Sequence, residues 1–229
     1  MYRFLLFDAD DTLFDFGKCE ANALRASMDD CGLTYSEELN ALYSKVNLKL
    51  WKELERGKLT RERLIAIRFR RFFDAAHIDA DPEPMRISYP KRLSEQAVLL
   101  PGVPEMLKRL TETKKYRLFV ITNGLKTTQT ERFAASGIRE YFEDIFISEE
   151  MGFNKPDKRY FDVVEKRVPG FVRSEALIIG DSLSSDIQGG INAEIDTAWY
   201  NFKLGTNFTG IRPTYMFRTW EELYNILEM

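Results

Sequence analysis

Tyr2-Arg3-Phe4-Leu5-Leu6-Phe7-Asp8-Ala9-Asp10-Asp11-Thr12 is the stretch whose reading decides the fold. Its apolar run reads as a buried strand, and the strand ends in Asp8-Ala9-Asp10-Asp11. Three carboxylates within four residues repel one another and stabilise nothing alone. A hard cation such as Mg2+ offsets that repulsion by taking carboxylate oxygens. In an α/β sheet the carboxyl end of a strand is also where ligands bind. One short segment thus offers a candidate metal site and a candidate nucleophile together.

Working outward, residues 15–97 are helical in texture. Ala21, Leu24, Arg25 and Met28 fall at helical spacing within 18–31. Leu39, Leu42, Tyr43, Val46, Leu50 and Leu54 form one stripe within 36–55, which Gly57 stops. Thr60 predicts the N-cap of a third helix, and a short fourth helix is expected at about 84–96. From residue 98 the pattern changes. Near-continuous apolar strands at 116–121, 145–147, 176–179 and 196–200 alternate with helices at 104–113, 126–136, 158–167 and 184–193, which predicts a parallel sheet covered on both faces. The expected architecture is an α/β core, a doubly wound parallel sheet made of 1–14 plus 98–229, with a helical domain inserted at 15–97. Gly17 and the stretch 97–102 are candidate hinges.

Composition narrows the chemistry. A net charge of -3 over 229 residues argues against a nucleic-acid partner. No apolar run approaches the roughly 18 residues of a membrane span. Cys19 and Cys31, without a signal peptide, are expected to be reduced thiols of a cytoplasmic protein. His77 is the single histidine, so a site with two histidine ligands is impossible. It sits at an apparent helix end and is read as structural or solvated.

Each buried strand ends in chemically capable residues: Asp8 and Asp10, then Thr122-Asn123-Gly124, then Lys155 after Gly152-Phe153-Asn154, then Asp181-Ser182 with Asp186. Parallel strands share one carboxyl edge, so these clusters are expected to converge. Asp8 can attack phosphorus and form an aspartyl-phosphate. Mg2+ held by Asp8, the Asp10 backbone carbonyl and Asp181 would neutralise the charge. Lys155 adds a point charge, while the Thr122 hydroxyl and the Asn123 and Gly124 N–H groups can hold phosphoryl oxygens. Asp10 would protonate the leaving alkoxide and later deprotonate water. Each piece alone has a bland reading as loop, turn, cap or surface charge; their ordered conjunction does not.

Phe7-Asp8-Ala9-Asp10-Asp11-Thr12-Leu13, Ile121-Thr122-Asn123-Gly124, Asn154-Lys155-Pro156-Asp157 and Gly180-Asp181-Ser182 with Asp186 resemble the four motifs of the haloacid dehalogenase-like hydrolases. The resemblance implies a Rossmann-like core, Mg2+ dependence, an aspartyl-phosphate intermediate and a helix-bundle cap, with Asp186 supporting the site behind the metal ligands. Asp11 departs from it, standing where many members carry Gly, which bears on the turn into the cap. The segments at 8–16, 46–51, 147–152 and 185–193 further resemble the bacterial pyrimidine 5'-nucleotidase branch. That implies a phosphomonoesterase acting on small nucleoside 5'-monophosphates, as monomer or homodimer. A sugar-phosphate phosphatase or phosphomutase of the same superfamily is the alternative. A non-enzymatic phospho-receiver would be about half as long and would lack the helical insertion.

Because the core reads phosphate, the cap is expected to choose the substrate. Phe16, Tyr43, Asn47 and Trp51 are the candidates; the last three share a helix face at i, i+4, i+8. Bundle packing competes for Tyr43 and Trp51. Arg61, Arg63, Arg68, Arg70 and Arg71 are read as a solvated face that could also attract phosphate.

Overall fold

The computed structural model describes all 229 residues. β1 (Phe4–Phe7), β2 (Arg117–Thr122), β3 (Asp144–Ile147), β4 (Ala176–Gly180), β5 (Asp196–Tyr200) and β6 (Tyr215–Phe217) form one sheet in the order β3-β2-β1-β4-β5-β6. Every pairing is parallel. Alternation along β1 shows why both faces must be covered. Leu5 and Phe7 enter one apolar core, and Phe4 and Leu6 enter the other. The chain winds outward from β1 through β2 to β3, then crosses back to β4. The switch point therefore lies between β1 and β4, where an open α/β sheet leaves a crevice.

Four helices fill the insertion: α1 (Phe16–Asp30), α2 (Glu37–Glu55), α3 (Arg61–Ala76) and α4 (Glu83–Ser94). Thr60 does cap α3, accepting from the Arg63 N–H at 3.2 Å. Their apolar stripes meet in a separate core around Leu24, Tyr43, Phe69, Phe72 and Tyr89. The two strands of chain that enter and leave this bundle run side by side. Asp15 N–H donates to the Val98 carbonyl and Leu100 N–H to the Leu13 carbonyl, both at 2.9 Å. Gly17 lies beyond this pairing, in the first turn of α1. No helix is long and apolar enough to cross a membrane.

The remaining helices, α5 (Val103–Glu112), α6 (Lys126–Ala135), α7 (Ser148–Met151), α8 (Lys158–Arg167), α9 (Gln188–Ala193) and α10 (Trp220–Ile226), cover the sheet and its edges. Two differences from expectation stand out. The helix expected over 184–193 begins instead as a π-turn at 183–187, a wider coil in which Ile187 N–H reaches the Ser182 carbonyl. The last strand and helix, β6 and α10, were not anticipated. β6 is three residues long and half exposed, too short for alternation to show. A signal for α10 did exist: Thr219 accepts from the Glu222 N–H, the N-cap half of a capping box.

Candidate active site

Asp8 follows β1 at the switch point, its N–H bonded to the Ile179 carbonyl of β4 at 2.8 Å. Lys155 is 1% exposed, far from a surface lysine. Its Nζ donates to Asp8 Oδ1 at 2.6 Å, Asp186 Oδ1 at 2.6 Å and the Ile121 carbonyl at 2.8 Å. All three donors of the ammonium are spent, and Asp8 Oδ2 is left free of hydrogen bonds. Burial and the neighbouring Asp186 push the Asp8 carboxyl up to about 8, against the pull of Lys155. Burial, then Asp8 and Asp186, push Asp181 well above the usual carboxylate range.

Carboxylate oxygens of Asp8, Asp181 and Asp186 lie within 4.8 Å of one another. Three hard oxygen donors at this spacing, two of them (Asp8 and Asp181) disfavoured as anions by burial and by their neighbours, suit a small divalent cation. Gly180 makes the crowding possible. A Cβ there would stand 2.3 Å from Asp186 Oδ2. The π-turn aims Asp186 back under the sheet edge, where its Oδ2 accepts the Ser182 N–H at 3.0 Å.

Thr122 and Asn123 join this cluster in ways the sequence only partly suggested. Thr122 Oγ1 accepts the Gly124 N–H at 3.0 Å, so that N–H is engaged within the loop. The Asn123 side chain clamps the Lys155 backbone from both sides: Oδ1 accepts its N–H and Nδ2 donates to its carbonyl, each at 2.9 Å. Tyr160, unforeseen, ties the ends of β2 and β3 together. Its hydroxyl accepts the Thr122 N–H and donates to the Phe146 carbonyl. Nothing but the fold places a residue from α8 beneath those strands.

Asp10 lines the same cavity as Asp8 and is held by α6. Arg132 Nη1 donates to Asp10 Oδ1 at 2.5 Å and Gln129 Nε2 to Oδ2 at 2.7 Å. Arg132 is fully buried, and its Nε also holds the Gln96 carbonyl in the second linker. Neither α6 residue was anticipated. Asp11, the departure from the family pattern, takes φ +60°, the left-handed conformation that Gly adopts freely and Asp tolerates. Lys203 holds its carboxylate at 2.5 Å, so the turn survives the substitution.

A cavity of about 200 Å³ opens above the cluster, lined by Asp8, Lys155 and Asp181 below and by Phe16, Asn47 and Trp51 above. Tyr43 corrects the expectation for its helix. It is fully buried one turn before Asn47 in α2, stacked on Phe69 at 5.5 Å and edge-on to Phe72 and Tyr89, and it does not line the cavity. The bundle core claims the aromatic ring. The arginines divide as well. Arg63, Arg70 and Arg71 are exposed, as a solvated face requires. Arg61 instead crosses to the core, donating to the Asn123 carbonyl at 3.3 Å and to Ser148 and Asn154. Lys52 makes a second crossing, to Ser182 at 3.1 Å and Ser184 at 2.6 Å. Arg68 is buried on the cavity wall. His77, the helix end suspected from sequence, is the exposed left-handed C-cap of α3.

Residues 5–200 match the family model described as haloacid dehalogenase-like hydrolase. The chain is 40% identical over 228 residues to YfnB, a HAD-hydrolase of Bacillus subtilis, covering 100% of this chain and 96% of that one. A crystal structure of YfnB bound to magnesium, reported to reveal interdomain movement, superposes with a TM-score of 0.93 and covers 100% of this chain and 99% of the other. The pyrimidine 5'-nucleotidase PynA of Streptococcus pneumoniae is 37% identical, covering 99% of this chain and 95% of PynA. The pyrimidine 5'-nucleotidase YjjG of Escherichia coli is 33% identical, covering 99% and 98%.

Proposed function

The chain belongs to the haloacid dehalogenase-like hydrolases, and from that premise we propose that it is a Mg2+-dependent phosphomonoesterase of nucleoside 5'-monophosphates, pyrimidine ones foremost. One observation carries the reading: Lys155 is spent on Asp8 and Asp186, so that Asp8 presents a free Oδ2 to a cavity that also contains Asp181. The names of PynA and YjjG, relatives along nearly the whole chain, support the substrate. A dehalogenase needs no second carboxylate two residues after its nucleophile, and Asp10 is present here.

Asp8 attacks phosphorus. An O–P bond forms to the carboxylate as the P–O bond to the nucleoside 5'-oxygen breaks, and Asp10 gives that oxygen its proton. Water then attacks the aspartyl-phosphate while Asp10 takes a proton back, which releases phosphate and restores Asp8. Asp8 and Asp181, with the Asp10 carbonyl, would hold a divalent cation, which would supply charge neutralisation there. Lys155 pulls Asp8 toward its ionised form and aims it, Asp186 holds Lys155, and Asn123 fixes the loop that carries it. Thr122 and the N–H groups after β2 receive phosphoryl oxygens, Gly124 by exchanging its contact with Thr122. Both Asp10 oxygens are taken up by α6, so its role requires a contact to be exchanged for substrate. The block 15–97 serves as a lid, swinging on the paired linkers at 13–15 and 97–100 and latched by Lys52 and Arg61.

The test is phosphate release from nucleoside 5'-monophosphates and sugar phosphates, with Mg2+ and with EDTA. Metal-dependent release that favours pyrimidine nucleotides is expected. Preference for sugar phosphates would overturn the substrate and keep the chemistry.

A further inference from the structure

Arg68 projects from the middle of α3 into the cavity wall with 3% of its surface exposed. No carboxylate lies within ion-pair distance of its guanidinium, although buried charges are normally paired. Its one side-chain hydrogen bond, to Asn47 Oδ1, is stretched to 3.5 Å, and its buried Nε has no partner at all. Most of the five donors of the fork are therefore unspent.

The surroundings hold the fork in place without satisfying it. The guanidinium sits 4.8 Å over the Tyr89 ring and 5.2 Å from that of Phe69. Asn47 is itself held by Glu20, to which its Nδ2 donates at 2.7 Å, and the other Glu20 oxygen accepts from Ser44. Glu20 thus orients Asn47 and through it Arg68, but offers Arg68 no oxygen of its own. Thr128 of α6 lines the same cavity with a buried hydroxyl that has no partner. The same lining includes the apolar side chains Phe16, Leu48, Trp51 and Leu93. A flat ring with a carbonyl at its edge fits that arrangement. A second carboxylate or phosphate would leave the apolar walls unused.

We propose that Arg68 is the specificity-determining residue of the cavity and donates to a ring carbonyl of the nucleobase, the O2 that every pyrimidine carries and adenine lacks. The assignment rests on the nucleotidase reading above.

The experiment compares kcat/KM for uridine 5'-monophosphate, adenosine 5'-monophosphate and ribose 5-phosphate, with Mg2+, in the wild type, Arg68→Met and Arg68→Lys. Methionine keeps an unbranched apolar stem in place. The uridine nucleotide is expected to lose roughly thirtyfold more than ribose 5-phosphate does in Arg68→Met, the scale of a charge-assisted hydrogen bond. Lysine should recover part of that difference. Equal losses on both substrates, or no loss on the nucleotide, overturn the assignment; ribose 5-phosphate turnover reports whether the variant is folded. A wild type that does not prefer the nucleotide to ribose 5-phosphate sinks the nucleotidase reading itself, before any variant is made.

Discussion

At the sheet edge, Lys155 spends every donor on Asp8, Asp186 and the Ile121 carbonyl; across the cavity, Arg68 keeps most of its donors unspent. Both side chains are buried cations on the walls of one cavity. The difference lies in what each faces. Lys155 comes from a loop clamped by Asn123, among backbone carbonyls and carboxylates at strand ends whose register the sheet fixes. Arg68 comes from a helix whose neighbours are rings, so its charge is oriented by stacking and left for something else to meet. A saturated site acts on a group common to all substrates, and an unsaturated one is available to tell them apart.

The largest effect should come from the saturated side. Asp8→Asn removes the nucleophile and is expected to lower kcat by on the order of 10^4-fold or more. Circular dichroism should be unchanged, because one of three crowded carboxylates is neutralised. Residual turnover within tenfold of wild type would remove Asp8 from the chemistry.

Next is Lys155→Met. It strands Asp8 and Asp186 together in a buried place, and loss of one partner of such a network costs about 3–5 kcal/mol. Urea denaturation in EDTA measures it. A cost below about 1 kcal/mol would mean that the edge is not the paired network described here.

Smaller still is the latch between the two regions. Arg61→Ala loses its contacts with Asn123, Ser148 and Asn154. It should cost about 1–3 kcal/mol and raise KM more than it lowers kcat. Arg63→Ala, two residues away and exposed, should stay within about 0.5 kcal/mol. Equal effects in denaturation and kinetics would dissolve the distinction between latch and solvated face.

Tyr43→Phe sharpens the comparison from the other end. The hydroxyl is buried without a hydrogen-bond partner, so its removal should change stability by less than about 0.5 kcal/mol and leave substrate preference alone. A shift in preference between uridine and adenosine nucleotides would return Tyr43 to the substrate side.

Legibility followed the same divide. The strand-end residues could be read in order because each apolar run ends where its polar cluster begins, and parallel strands end on one edge. Asp8, Thr122, Asn123, Lys155, Asp181 and Asp186 do converge there. In the cap, spacing placed Tyr43, Asn47 and Trp51 on one face of α2. Spacing does not say where along that face the packed core stops and the cavity starts. Arg61 and Arg68 fall among five arginines that read as one solvated face able to attract phosphate, and only the packing of α3 on α2 and α4 separates their fates.

The sequence by itself determined the parallel core, the inserted bundle and the residues of the phosphate end, since strand periodicity and local order specify them over a few residues each. Tertiary structure alone decided the partners that come from afar: Tyr160 under β2 and β3, Arg132 and Gln129 on Asp10, Arg61 on the Asn123 loop, and Arg68 at the wall. Those contacts join segments separated by tens of residues or more in the chain. Their geometry is set by how helices pack and by which donors packing leaves unpaired, and neither quantity is written in any local pattern of residues.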